Sequence, residues 1–188
     1  MSLHRMLLAR AAENKPLRIG LIGAGKFGAM YLSQIPTTPG IHLLGIADLS
    51  PAKAKENLAR LGWKPEVTSA GSFAEARRQG NTHLTDDWRA LVSHPEIDIV
   101  VESTGDPIAA VEHALEAFRN GKSVVMVTVE ADAFCGPLLA RRAAEAGVIY
   151  SLAYGDQPAL ICELVDWART SGFEVLSLIH ISEPTRPY

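Results

Sequence analysis

The chain has 188 residues, 47% of them hydrophobic and 21% charged, with a formal net charge of −3. That length and balance suit one soluble globular domain with a substantial core. Lysine and arginine are dispersed, so no basic run invites nucleic acid or an anionic membrane, and no apolar run approaches the ~20 residues of a bilayer span.

Residues 1–16 read as a short amphipathic helical extension. The apolar run from Met6 to Ala9 is too short for a signal sequence, and the charged Arg10 and Glu13 break it off. From Leu17 onward, short β-branched apolar runs alternate with stretches of helical periodicity, which predicts βαβ units around a parallel sheet. Strands are predicted at Leu17 to Ile22, His42 to Ala47, Asp98 to Ser103, Ser123 to Val129 and Gly147 to Ala153, with a weak one around Thr82 to Leu84. They are too continuously apolar for a sheet with one wet face.

The helices carry their own punctuation. In "SPAKAKENLARLG" Ser50 is placed to cap, Pro51 takes the first helical position and Gly62 follows the last turn. A short helix is expected at Ser72 to Gln79 and another in "DDWRALVSH". In "DPIAAVEHALEAFRNGK" Asp106 caps, Pro107 opens, Gly121 stops, and Ile108, Val111, Leu115 and Phe118 make one apolar stripe. The expected fold class is therefore α/β: a doubly wound, mostly parallel sheet of Rossmann type over residues 17–175.

The first strand runs directly into "GAGKFG", in which Gly23, Gly25 and Gly28 form G-x-G-x-x-G around Lys26 and Phe27. After a strand and before a helix, this motif binds a dinucleotide. The first glycine makes the turn, the second admits a pyrophosphate to the backbone, the third packs helix on strand, and the helix start supplies N–H groups. Asp48 ends the second strand 20 residues beyond Gly28, where an acid bonds the adenosine ribose. A carboxylate there favours NAD over NADP, although Lys53 and Lys55 leave NADP open.

Other candidates lie where later strands end. Ser103, Thr104 and Gly105 are small residues with room for the nicotinamide half, and Glu102 precedes them. Glu130 follows the fifth strand and reads either as a substrate-binding or general-base acid or as a solvated neighbour of Asp132, which is placed to cap the next helix. Asp156, with Tyr154 and Gln157, follows the sixth strand and reads either as a substrate group or as a helix cap. Cys135 and Cys162 have no CxxC spacing or nearby paired histidines, so no metal site or disulfide is expected and the setting is reduced and cytoplasmic.

"GLIGAGKFG", "VVESTGDP", "VVMVTVEAD" and "SLAYGDQPALICELVDWA" resemble the homoserine dehydrogenase-like NAD(P)-binding domain of the SAF-domain oxidoreductases, over about Leu17 to Val175. That group includes the deoxyxylulose phosphate reductoisomerase-like enzymes and the sugar-acid oxidoisomerases. In homoserine dehydrogenases proper an Asn-Lys pair with a catalytic lysine follows the fifth strand; Val129 and Glu130 stand there here, so the SAF-linked group is the better fit. The resemblance implies an NAD(P)-dependent oxidoreductase acting on a small polar, sugar-derived and in some members phosphorylated substrate, with Glu130 and Asp156 facing it. It admits a homo-oligomer. Family members add a substrate domain and a SAF domain that these residues do not contain, so the 188 residues are expected to bind cofactor with little or no turnover. A nucleotide sensor without turnover and a homoserine dehydrogenase-type enzyme are the alternatives.

The last stretch, "LSLIHISEPTRPY" (176–188), stands apart. From Leu176 to Arg186 it reads residue for residue as the translation of a transposase adapter used to prepare sequencing libraries. It is therefore expected to be an artefact outside the fold.

Overall fold

The computed structural model of the chain describes residues 2–154 and 157–175. A first helix, α1 (Leu3–Ala12), forms as expected but buries none of its residues. Six strands follow: β1 (Leu17–Ile22), β2 (Ile41–Ala47), β3 (His83–Thr85), β4 (Ile99–Glu102), β5 (Ser123–Met126) and β6 (Tyr150–Leu152). All pair in parallel in one sheet of order β3-β2-β1-β4-β5-β6. The connections hold α2 (Lys26–Gln34), α3 (Pro51–Arg60), α4 (Phe73–Gln79), α5 (Trp88–Ser93), α6 (Pro107–Arg119) and α7 (Val129–Glu145), and α8 (Gln157–Thr170) comes last. None of the described helices is long and apolar enough to cross a membrane.

The continuous apolar strands are explained by two buried faces. Side chains of a strand alternate between them. Leu44, Ala47, Val100 and Met126 join Phe73, Leu91, Ala110, Ala114, Phe118 and Leu139 on one side. Ile19, Leu21, Leu43, Ile46 and Val101 join Leu32, Ala54 and Leu58 on the other. Fully burying a leucine or isoleucine contributes about 1.5–3 kcal/mol, so these two clusters dominate the stability of the sheet.

Local signals set most boundaries. Ser50 accepts from the Lys53 N–H, Ser72 from that of Glu75, Asp87 from that of Ala90, and Asp106 from those of Ile108 and Ala109. Three expectations need correction. The stripe expected on α6 holds only in part: Phe118 is buried and Val111 and Leu115 pack partly buried against the core, but Ile108 is 79% exposed and the fully buried face also takes in Ala110, His113, Ala114 and Ala117. Small alanines win there because the helix lies close against the sheet, where larger side chains would not fit. β5 stops at Met126, and Val129 and Glu130 belong to the first turn of α7. Asp132 consequently lies inside α7 rather than before it, and its Oδ1 accepts from the Tyr150 hydroxyl at 2.9 Å. α7 is itself interrupted at Cys135 (φ −147°, ψ 25°), beside Gly136 and Pro137, whose missing N–H and ring oppose a continuous helix.

The chain falls into one compact unit that reaches Leu152 and a second that begins at Ala153. In the second, Tyr154 donates to Glu163 Oε2 and Trp167 stacks on Phe173 with ring centroids 6.3 Å apart. The adapter-like segment 176–188 lies outside the described residues.

Candidate functional site

The register brings the strand ends to a common edge. Ile22 pairs with both Ala47 and Glu102, and Glu102 pairs with Met126. The ladder continues one residue further: the N–H groups of Gly23, Ser103 and Val127 donate to Ala47 O, Ile22 O and Glu102 O, each at 2.8 Å. The strand order reverses between β1 and β4, which opens a crevice at the carboxyl edge. It is a cleft of about 330 Å³ whose lining includes Gly23, Gly25, Asp48, Trp88, Thr104 and His113.

On the β1 side the backbone makes the site. Gly23 has φ +92°, and a Cβ there would lie 2.8 Å from the carbonyl carbon of Ser103, so only glycine turns this corner. A Cβ on Gly28 would lie 2.4 Å from Gly23 O, which seats α2 directly on the turn. Around Gly25 a Cβ would meet nothing within 4 Å, so the space beside it is open to a ligand. Gly25 is the N-cap of α2 and no side chain caps that helix. Free N–H groups and the positive end of the dipole therefore face the cleft, an arrangement that suits a pyrophosphate. Lys26 and Phe27 are exposed in that first turn.

Asp48 bridges the two loops beside it. Its Oδ2 accepts from the Ala24 N–H and its Oδ1 from the Ser50 N–H, both at 2.9 Å. The carboxylate is thus held rigidly, and each oxygen keeps a second lone pair for a ribose diol. No basic side chain lines this end among the described residues of the cleft, whose acids include Asp86 and Asp106. The residues present therefore fit a dinucleotide.

The β4 side is built from side chains. Ser103 Oγ donates to Gly23 O at 2.7 Å, tying β4 to the glycine turn. Glu102 is fully buried. Its Oε1 accepts from Thr104 Oγ1 at 2.6 Å and from the Thr104 N–H at 3.3 Å, with His113 Nδ1 at 3.2 Å, and its Oε2 accepts from Thr128 Oγ1. The Gly105 N–H donates to Thr128 Oγ1 at 3.0 Å. His113 packs edge-on against Trp88, 4.5 Å between centroids. Beyond this network, burial and then the bond to Asp132 push the Tyr150 phenol well above its ordinary range, so it stays a neutral donor.

Of the residues singled out from sequence, Gly23, Gly25, Asp48 and Thr104 line the cleft together, with Gly28 and Ser103 packed against Gly23 and the exposed Gly105 bonded to Thr128. Glu130 is exposed in the first turn of α7 and is not among the residues lining the cleft. Asp156 lies outside the described residues. Sequence reasoning missed Thr128, His113 and Trp88. The signal that could have found them was polarity out of place: a Thr at the end of an apolar strand, and a His on the alanine face of α6.

The family model for the homoserine dehydrogenase NAD binding domain matches residues 20–152, the span of this cleft and its sheet. The chain belongs to that family. It is an NAD-binding domain of α/β Rossmann type, and its cofactor is NAD or NADP. It is 34% identical to a homoserine dehydrogenase of Methylobacillus glycogenes over 116 residues, 59% of this chain and 24% of that protein. To a homoserine dehydrogenase of Pseudomonas aeruginosa it is 31% identical over 141 residues, 72% of this chain and 28% of that protein. The crystal structure of a homoserine dehydrogenase from Thiobacillus denitrificans superposes with TM-score 0.54 at 25% identity, covering 73% of this chain and 29% of that one. The chain thus spans about a quarter of the length of the curated relatives it matches.

Proposed function

We propose that this chain is the cofactor-binding part of an NAD(P)-dependent oxidoreductase that passes hydride between the nicotinamide and a small polar, sugar-derived substrate. The observation that carries the cofactor half of this reading is the cleft where the uncapped start of α2, the open space at Gly25 and the fixed Asp48 carboxylate converge. Gly23, Gly25, Lys26, Phe27 and Gly28 hold the pyrophosphate end, with anion binding to the first-turn N–H groups. Asp48 takes the adenosine ribose and, by repelling a 2′-phosphate, favours NAD. Ser103, Thr104 and Gly105 flank the nicotinamide. The cofactor, when bound, supplies the hydride chemistry; the chain positions it and excludes water around it. Glu130 and Asp156 are assigned to the substrate side.

Val129 and Glu130, where homoserine dehydrogenases place Asn and Lys, support the SAF-linked grouping and a sugar-derived substrate. The relatives' names favour a second reading, homoserine itself. In either case the domain is assigned to 17–175, with 1–16 as an extension and 176–188 as adapter-derived, and the 188 residues bind cofactor without appreciable turnover. Calorimetric titration tests the site. NAD is expected to bind saturably and more tightly than NADP, and Asp48→Ala to weaken NAD on the order of tenfold, the worth of one or two hydrogen bonds to a charged group. Equal NAD affinity in wild type and a folded Asp48→Ala protein would remove Asp48 from the site.

A further inference from the structure

Glu102 is the one fully buried acid among the described residues, and the cofactor reading gives it no task. Thr104 Oγ1 accepts from the Asp106 N–H at 3.3 Å, and Thr128 Oγ1 accepts from the Gly105 N–H at 3.0 Å. Each hydroxyl donates to Glu102, Thr104 Oγ1 to Oε1 and Thr128 Oγ1 to Oε2. The Thr104 N–H can only donate. Both hydroxyls and the Thr104 N–H donate to the two oxygens of Glu102, and His113 Nδ1 lies 3.2 Å from Oε1.

The position of this charge gives it a role. Thr104 and His113 both bond Glu102 and both line the cleft, so the carboxylate lies one side chain behind the wall. The acids at the surface of that wall are different: Asp106 and Glu112 are exposed, and Glu112 pairs with Arg89. Water and salt screen exposed charges and leave a buried one largely unscreened.

We propose that these donors hold Glu102 as a carboxylate and that its charge sets the preference of the cleft between the two redox states of the nicotinamide, favouring the cationic oxidised ring over the neutral reduced ring. The inference rests on the dinucleotide reading of the cleft. With the ring at about 10 Å, a unit charge at an effective dielectric near 20 would shift binding on the order of tenfold. The tie that Glu102 makes between the β4 and β5 loops would instead act on both redox states alike, which separates charge from scaffolding.

The test is titration of NAD⁺, NADH and ADP-ribose into the full chain, its Glu102→Gln variant and its Thr128→Val variant, at one pH. Wild type is expected to bind NAD⁺ about tenfold more tightly than NADH. In Glu102→Gln that ratio falls toward one while ADP-ribose affinity is kept; Thr128→Val, which removes a bond but no charge, keeps the ratio. Because a buried charge is little screened, the wild-type ratio also persists in 1 M salt, a readout independent of whether the variants fold. A ratio near one in wild type, a ratio unchanged in Glu102→Gln, or one that collapses in salt overturns the proposal. Failure of ADP-ribose itself to bind overturns the dinucleotide reading and the proposal with it.

Discussion

On the β1 side of the cleft the ligand-facing groups are main chain: the turn at Gly23, the open approach at Gly25 and the uncapped start of α2. On the β4 side they are side chains from three elements, joined through Glu102, Thr128 and His113. The first side depends on six consecutive residues and on the absence of side chains. The second depends on partners 11 and 26 residues away in sequence, and on burial without water. Backbone sites tolerate little change in shape, whereas buried polar sites tolerate little change in hydrogen-bond count.

The largest difference between the sides is expected from Glu102→Ala. It leaves the hydroxyls of Thr104 and Thr128 without their acceptor, at roughly 1–3 kcal/mol for each by urea unfolding. A loss below about 1 kcal/mol would show that water replaces the carboxylate and that this side is no tighter than a surface network. Gly23→Ala comes next, at roughly 2–3 kcal/mol, because a Cβ is forced against Ser103 backbone at positive φ. Its stability loss should be accompanied by loss of NAD binding, since the turn itself moves.

Asp106→Ala probes the boundary between the sides. It removes an N-cap that accepts from the N–H groups of Ile108 and Ala109 and should lower stability by about 1 kcal/mol without touching the glycine turn.

The smallest effect lies at the opposite end of the sheet. Burial raises the Asp98 carboxyl, but the hydrogen bonds and charge of Arg18 outweigh it and hold it below the ordinary carboxylate range. A folded-state value below the unfolded one gives a contribution that is present above about pH 4 and fades as pH falls through the depressed value. In thermal unfolding of Asp98→Asn beside wild type, the deficit should be under about 1 kcal/mol at neutral pH, given solvent screening, and should vanish in acid. A deficit that grows in acid would reverse this sign.

How much could be read beforehand differed by side in the same way. Leu17 to Ile22, the glycines and Asp48 were legible because strand, turn and ribose acid follow one another along the chain. The caps Ser50 and Asp106 were equally legible, since each bonds an N–H two or three residues on. Ile108 was misplaced in the α6 stripe because periodicity weighs it above Ala110, while packing against a sheet rewards the smaller side chain. β5 was read too long because apolar Val127 and Val129 flank Thr128, and nothing local separates a strand end from the first turn of α7.

The amino-acid sequence alone determined the α/β class, the order of strands along the chain, the helix caps and the glycine turn with its acid, because these are short-range consequences of backbone freedom, periodicity and local hydrogen bonding. Tertiary structure alone decided that β4 lies beside β1, that Glu102 is fully buried, and that Thr104, Thr128 and His113 all turn to it. A carboxylate in a sequence carries no sign of its dielectric surroundings. Only the packing of three separate segments around it removes the solvent that would otherwise screen its charge.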